Sequence, residues 1–135
     1  MTNPRVLVVD DSAVVRQIVR SVLTRNGYDL MEAADGEEGL RMDLVERPDL
    51  LILDVMLPNR SGFEICSELK RCPRTRSMPI LILTGITAGT GDSDEYWRVP
   101  SLADDFMSKP FSARELLERV GRLVRAGAVA GARVA

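Results

Sequence analysis

Apolar residues fall into three short unbroken runs, Val6 to Val9, Leu50 to Leu53 and Ile80 to Leu83, each rich in Val, Ile or Leu. Runs of that length without polar alternation suit strands covered on both faces, as in a parallel sheet. Between the runs the spacing changes to a helical repeat. Val14, Val15, Ile18, Val19, Val22 and Leu23 follow Ser12, a good N-cap, and Asn26-Gly27 supplies a stop. Tyr28 to Ala33 reads as a shorter, half-polar strand, and Gly36 to Glu46 as a second helix halted by Pro48. Phe63, Cys66 and Leu69 mark a third helix behind Ser61. Ala113, Leu116, Leu117, Val120, Leu123 and Val124 mark the last, with Ser112 as its cap and Glu115 in its first turn. Strands and helices alternating in this rhythm predict an α/β sandwich, doubly wound around a parallel sheet, with five strands and five helices.

Gly85 to Ala103 breaks the rhythm. Thr and Gly residues give way to Asp92, Ser93, Asp94, Glu95, Tyr96 and Trp97, so a helix here is expected to be short, starting near Ser93 and ending before Pro100. After Arg125 the chain turns to Ala and Gly, and residues 126–135 read as a frayed helix end or a linker stub beyond a domain covering 1–125.

Composition narrows the functional classes. With 135 residues, 45% of them hydrophobic, the chain holds one compact domain that buries about two-thirds of its unfolded surface, enough to fold without disulfides or metal staples. Cys66 and Cys72, expected on one helix and pointing apart, are therefore expected to be free thiols. The opening Met-Thr-Asn-Pro carries no targeting pattern, and no apolar run approaches the ~18 residues of a membrane span, so a cytoplasmic location is expected. There is no histidine, which excludes His-ligated metals, Ser/His and Cys/His nucleophile pairs and any phosphohistidine on this chain. The formal charge of -2 argues weakly against nucleic acid, and Arg71, Arg74 and Arg76 around Pro73 read as a solvated loop. Only Lys70 and Lys109 are lysines.

In open α/β sheets ligands bind beyond the carboxyl ends of the strands. Those ends carry Asp10 and Asp11, Asp54, Thr84 and Lys109: three carboxylates, a hydroxyl and an ammonium on one edge. Clustered carboxylates raise one another's pKa values unless a cation neutralises them, and an all-oxygen donor set favours Mg²⁺, which keeps sites open for a phosphoryl oxygen. Asp54 is then a credible nucleophile toward phosphorus, forming an acyl phosphate. Lys109 would balance charge on the transferred oxygens and Thr84 would donate a hydrogen bond. Lys109 precedes Pro110, and an X-Pro bond can be cis where a tight turn aims a side chain.

These residues sit within five ordered segments: Val-Leu-Val-Val-Asp-Asp-Ser (6–12), Pro-Asp-Leu-Leu-Ile-Leu-Asp-Val-Met-Leu-Pro (48–58), Ser-Gly-Phe-Glu (61–64), Pro-Ile-Leu-Ile-Leu-Thr-Gly (79–85) and Ala-Asp-Asp-Phe-Met-Ser-Lys-Pro-Phe (103–111). Together they resemble the receiver domain of two-component response regulators over roughly residues 4 to 125, in layout the stand-alone, chemotaxis-regulator-like kind. The resemblance implies a flavodoxin-like sheet of order 2-1-3-4-5. It also implies that Asp54 is the phosphoacceptor, that Asp11, Asp54 and the Met56 backbone carbonyl hold Mg²⁺, and that Asp10 supports the metal through water. Thr84 would sense the phosphoryl group while Phe106 turns inward as the switch aromatic.

The implied phosphodonor is a histidine kinase or histidine phosphotransfer protein, and the implied output is altered binding to a downstream protein target. Since the pattern reaches about residue 125 of 135, the length leaves no room for a DNA-binding output, and no direct DNA binding is expected. The interval from Thr84 to Lys109, 25 positions, is a few residues longer than usual in the family, which predicts an atypical fourth helix region with Tyr96 and Trp97 available to a partner.

Enzyme readings fare worse. A haloacid-dehalogenase-type phosphatase needs Asp-x-Asp where this chain has an adjacent pair followed by Ser12, and the Gly/Thr stretch after Thr84 lacks the Lys-Ser/Thr of a phosphate loop. The expectation is a phosphoryl-accepting signalling protein that assists only its own phosphorylation and dephosphorylation. The alternative is a degenerate receiver acting as a phosphorylation-independent binding module.

Overall fold

The computed structural model describes residues 2–85 and 102–134. Within them β1 (Arg5–Val9), α1 (Ala13–Thr24), β2 (Asp29–Ala33), α2 (Gly36–Glu46), β3 (Leu50–Asp54), α3 (Gly62–Arg71), β4 (Ile80–Gly85), β5 (Asp105–Lys109) and α4 (Ala113–Val134) follow in order. The strands form one parallel sheet, β2-β1-β3-β4-β5. The described residues hold four helices, and the short helix expected between Ser93 and Pro100 lies outside them, as do Tyr96 and Trp97.

The unbroken apolar runs are explained by two cores, one on each sheet face. Val6, Val8, Leu50, Ile52, Leu81 and Leu83 meet Val19 and Leu23 of α1 and Leu116, Val120 and Leu123 of α4. Their neighbours Leu7, Val9, Leu51, Leu53, Ile80 and Ile82 point the other way, onto Ile65, Cys66 and Leu69 of α3. Successive side chains of a strand face opposite sides, so only a strand buried on both can be apolar throughout. Strand β2 is the edge next to β1 and is only partly buried, which is why its sequence is half polar.

The caps act where the sequence places them. The hydroxyls of Ser12, Ser61 and Ser112 accept from the amides of Val15, of Phe63 and Glu64, and of Glu115. Asp35 caps α2 by accepting from the Glu38 amide at 2.8 Å. Gly27, at φ 88°, takes the left-handed conformation that ends the α1 turn. Cys72 is the C-cap of α3 rather than a residue inside it. Both cysteines are free, and burial pushes the Cys66 thiol up to about 11, keeping it protonated.

Two features depart from the sequence reading. The last helix does not fray at Arg125 but runs to Val134, because alanine favours helix and Gly127 lies where a Cβ would come within 2.8 Å of the Pro79 ring. Inside α2, Asp43 is fully buried, and neither carboxylate oxygen has a hydrogen-bond partner among the described residues. Burial pushes its carboxyl up to about 7.

Lys70 proves structural. Its ammonium donates to the Arg76 and Met78 carbonyls and to Asp104 Oδ2 at 2.7 Å, tying the end of α3 to the approach to β5. No helix of the described residues is long and apolar enough to cross a membrane.

Candidate functional site

Parallel strands end on a common edge, and here β1, β3, β4 and β5 deliver Asp10, Asp54, Thr84 and Lys109 to it, with Asp11 one residue further along. Register makes this meeting obligatory. Asp54 lies opposite Leu83, and Gly85 opposite Lys109, so the last residues of three adjacent strands arrive at nearly one level. Asp10, Asp54 and Thr84 are buried, and Asp11 is exposed.

Lys109 Nζ lies 2.7 Å from Asp10 Oδ2 and 3.5 Å from Asp54 Oδ2. Asp10 Oδ1 accepts from the Ser12 amide at 2.9 Å, and Asp54 Oδ1 from the Met56 amide at 3.4 Å. Burial, and then the Asp10 charge, raise the Asp54 carboxyl above the usual carboxylate range; Lys109 and the Met56 amide pull the other way without cancelling them. For Lys109 burial opposes the charge, but the contact with Asp10 and the charges of Asp10 and Asp54 outweigh it and raise its pKa.

One carboxylate oxygen from each of Asp10, Asp11 and Asp54 falls in a cluster whose atoms all lie within 4.8 Å of one another. The donor set is oxygen only, and a buried carboxyl with a raised pKa is a group that a cation would relieve. The residues present therefore fit a hard metal ion. Met56 contributes its amide and has an exposed side chain. The Lys109–Pro110 bond is cis.

Gly62 packs against the backbone that carries Asp54. A Cβ on it would collide with the Asp54 backbone carbonyl oxygen and come within 3.0 Å of Val55 Cα, while its amide donates to the Val55 carbonyl at 3.0 Å. Gly62→Ala must therefore shift the segment that carries Asp54. The expected cost is about 2–3 kcal/mol in denaturant unfolding, the scale of overpacking a close contact; an unchanged midpoint would show that the turn yields freely.

Phe106 is buried, at 6% exposure, within the cluster on the α3 side of the sheet.

The pattern matches the family model described as the response regulator receiver domain across residues 6–121. The chain belongs to this family. The receiver is 40% identical over 131 residues to the alkaline phosphatase synthesis transcriptional regulatory protein PhoP of Bacillus subtilis, covering 95% of this chain and 51% of that protein. It is 38% identical over 122 residues to the DNA-binding dual master transcriptional regulator RpaA of Synechocystis, covering 90% of this chain and 49% of that protein. Among solved structures, the chemotaxis response regulator CheY4 of Vibrio cholerae superposes with a TM-score of 0.80 at 32% identity, covering 90% of this chain and 99% of that one.

The receiver thus spans about half the length of the curated relatives it matches. That overturns the expectation of no direct DNA binding. The argument from length counted only these 135 residues, whereas relatives of the same pattern are transcriptional regulators, one of them DNA-binding by name, in which the matched part is half of the protein.

The sequence reading missed Arg16, Glu32 and Asp43. Arg16 and Glu32 approach the site from the side: Arg16 Nη1 donates to the Asp10 carbonyl at 2.6 Å and its Nε to Glu32 Oε1 at 3.2 Å. The available signals were an Arg in the first turns after the Asp-Asp-Ser segment and an acidic residue near the end of β2.

Proposed function

We propose that this receiver is a phosphorylation-controlled switch in which Asp54 accepts a phosphoryl group from a phosphohistidine on a partner kinase or phosphotransfer protein. A carboxylate oxygen of Asp54 bonds to phosphorus as the phosphorus–nitrogen bond to the donor imidazole breaks, and the imidazole nitrogen keeps the bonding pair. The observation that carries this reading is the placement of a buried carboxylate with an ammonium 3.5 Å away and two further carboxylates gathered beside it.

Asp10, Asp11, Asp54 and the Met56 carbonyl would hold Mg²⁺, which supplies charge neutralisation for the phosphoryl oxygens. Lys109 sits where it would move from its carboxylate partners to a phosphoryl oxygen, and the Thr84 hydroxyl at the end of β4 would donate to another. The protein acts on itself alone and turns over no other substrate. A cytoplasmic location follows from the donor, and the output is a changed surface read by a downstream partner, or by a further segment in a protein built like the relatives.

Acetyl phosphate with Mg²⁺, followed by intact mass measurement, tests the reading. The wild type is expected to gain one phosphoryl group, and Asp54→Ala and a chelator-treated sample none. A wild type that gains nothing leaves the phosphorylation-independent binding module as the surviving reading.

A further inference from the structure

The loop carrying two of the three clustered carboxylates is braced from α1 and β2. Arg16 Nη1 donates to the Asp10 carbonyl oxygen at 2.6 Å, and its Nε donates to Glu32 Oε1 at 3.2 Å. The other Glu32 oxygen accepts from Arg20 Nε at 2.6 Å. Glu32 pairs in register with Val8 of β1, two residues before Asp10. The Arg16 and Glu32 side chains are only 18% and 28% exposed, so water and salt weaken this pair less than an open surface bridge.

The peptide group that Arg16 holds is the one joining Asp10 to Asp11. Asp10 needs little help, because its carboxylate is already fixed by the Ser12 amide and by Lys109. Asp11 differs: it is exposed, and among the described residues no hydrogen bond or ion pair holds its side chain. Its direction is set by the backbone from which it leaves. That backbone is held at Asp10 by the amide's bond to the Ala33 carbonyl and on the carbonyl side by Arg16.

We propose that Arg16, locked in place by Glu32, is a positioning residue that aims Asp11 and so sets the cation affinity of the acidic cluster. The inference rests on Asp10, Asp11 and Asp54 being the metal ligands.

Two effects of Arg16 have opposite signs, which makes the idea decidable. Its positive charge beside the cluster repels a cation, so a purely electrostatic role means that Arg16→Met binds Mg²⁺ more tightly. A positioning role means weaker binding, by roughly tenfold or more, the usual loss when a partner behind a metal ligand is removed. Lysine keeps the charge but cannot reach the Asp10 carbonyl and Glu32 together as the guanidinium fork does, so Arg16→Lys falls between wild type and Arg16→Met. Glu32→Gln, which leaves the guanidinium less firmly held, also weakens binding.

Calorimetric titration with magnesium chloride of wild type, Arg16→Met, Arg16→Lys, Glu32→Gln and Asp11→Asn tests this, with Arg5→Met as control. Arg5 forms an ion pair with Glu46 at the opposite end of β1, and its loss is expected to leave Mg²⁺ affinity within about twofold of wild type. Metal-free thermal midpoints show whether Arg16→Met and Arg5→Met are destabilised alike, which separates aiming from general loosening. If Arg16→Met fails to fold, Arg16→Lys and Glu32→Gln carry the test. Affinity equal to or tighter than wild type in the Arg16 and Glu32 variants, with Asp11→Asn impaired, overturns the positioning role while the metal site stands. A wild type that binds no Mg²⁺, or an Asp11→Asn that binds normally, overturns the ligand reading and this inference with it.

Discussion

Asp43→Asn is expected to stabilise the protein at pH 8 by about 2–4 kcal/mol and to flatten its stability between about pH 4 and pH 7. In the wild type the carboxyl is fully buried, has no hydrogen-bond partner among the described residues, and is raised by burial from 3.8 to about 7. The sign follows from proton counting. Below the unfolded value both states are protonated and Asp43 contributes nothing to the pH dependence. Between the two values the folded protein retains a proton that the unfolded chain releases, so stability falls as pH rises. Above about 7 the whole penalty is present, roughly 4 kcal/mol for a shift of this size.

Asparagine removes the ionisation while keeping the volume, although it leaves an amide without partners, which is why the expected gain starts below the full penalty. Urea unfolding of both proteins at several pH values measures it. The difference should be small near pH 4 and grow to its plateau at pH 8. Parallel pH profiles would mean that Asp43 finds a partner or water in solution.

Lys109→Met is expected to cost about 2–4 kcal/mol without metal and to slow phosphorylation by acetyl phosphate roughly a hundredfold or more. The ammonium lies against Asp10, which is completely buried, and near Asp54, so its loss leaves two close carboxylates without their cation. Breaking a buried pair by removing one partner costs more than the pair contributes, and the 24% exposure of the Lys109 side chain trims that figure. Mg²⁺ should restore part of the stability but not the rate, because a metal neutralises the carboxylates without replacing the donor that Lys109 brings to the phosphoryl group. Thermal midpoints with and without Mg²⁺, beside initial phosphorylation rates, separate the two. A variant that phosphorylates at the wild-type rate would remove Lys109 from the reaction. In the wild type the raised Lys109 pKa keeps its contribution complete below its unfolded value and loses it only as pH climbs through the folded one, at the alkaline limit.

Much of the fold was legible because burial writes itself into the spacing of apolar residues. Strands β1, β3 and β4 read as unbroken runs since both of their faces are covered, and the serine caps read at once because a helix start needs an acceptor there. The extension of α4 to Val134 did not read, because a run of Ala and Gly carries no apolar stripe and its placement depends on Pro79 lying beneath Gly127. Asp43 did not read either. It occupies an inward position of α2, and an acidic residue in a weakly amphipathic helix looks like any solvated one until the sheet closes over it.

For the site, the division lies between identity and arrangement. The sequence alone determined which groups reach the edge, since a parallel strand must end where its apolar run ends, and Asp10, Asp54, Thr84 and Lys109 stand at those ends. It also determined, by containing no histidine, that no phosphohistidine forms within these 135 residues. Only the tertiary structure decided that Lys109 lies against Asp10 more closely than Asp54, that Phe106 is enclosed, and that Arg16 reaches Asp10 with Glu32 behind it. Spacing along one chain encodes which side of an element a residue faces. Distances between groups on different strands and helices depend on register and packing, which exist only once the sheet has formed.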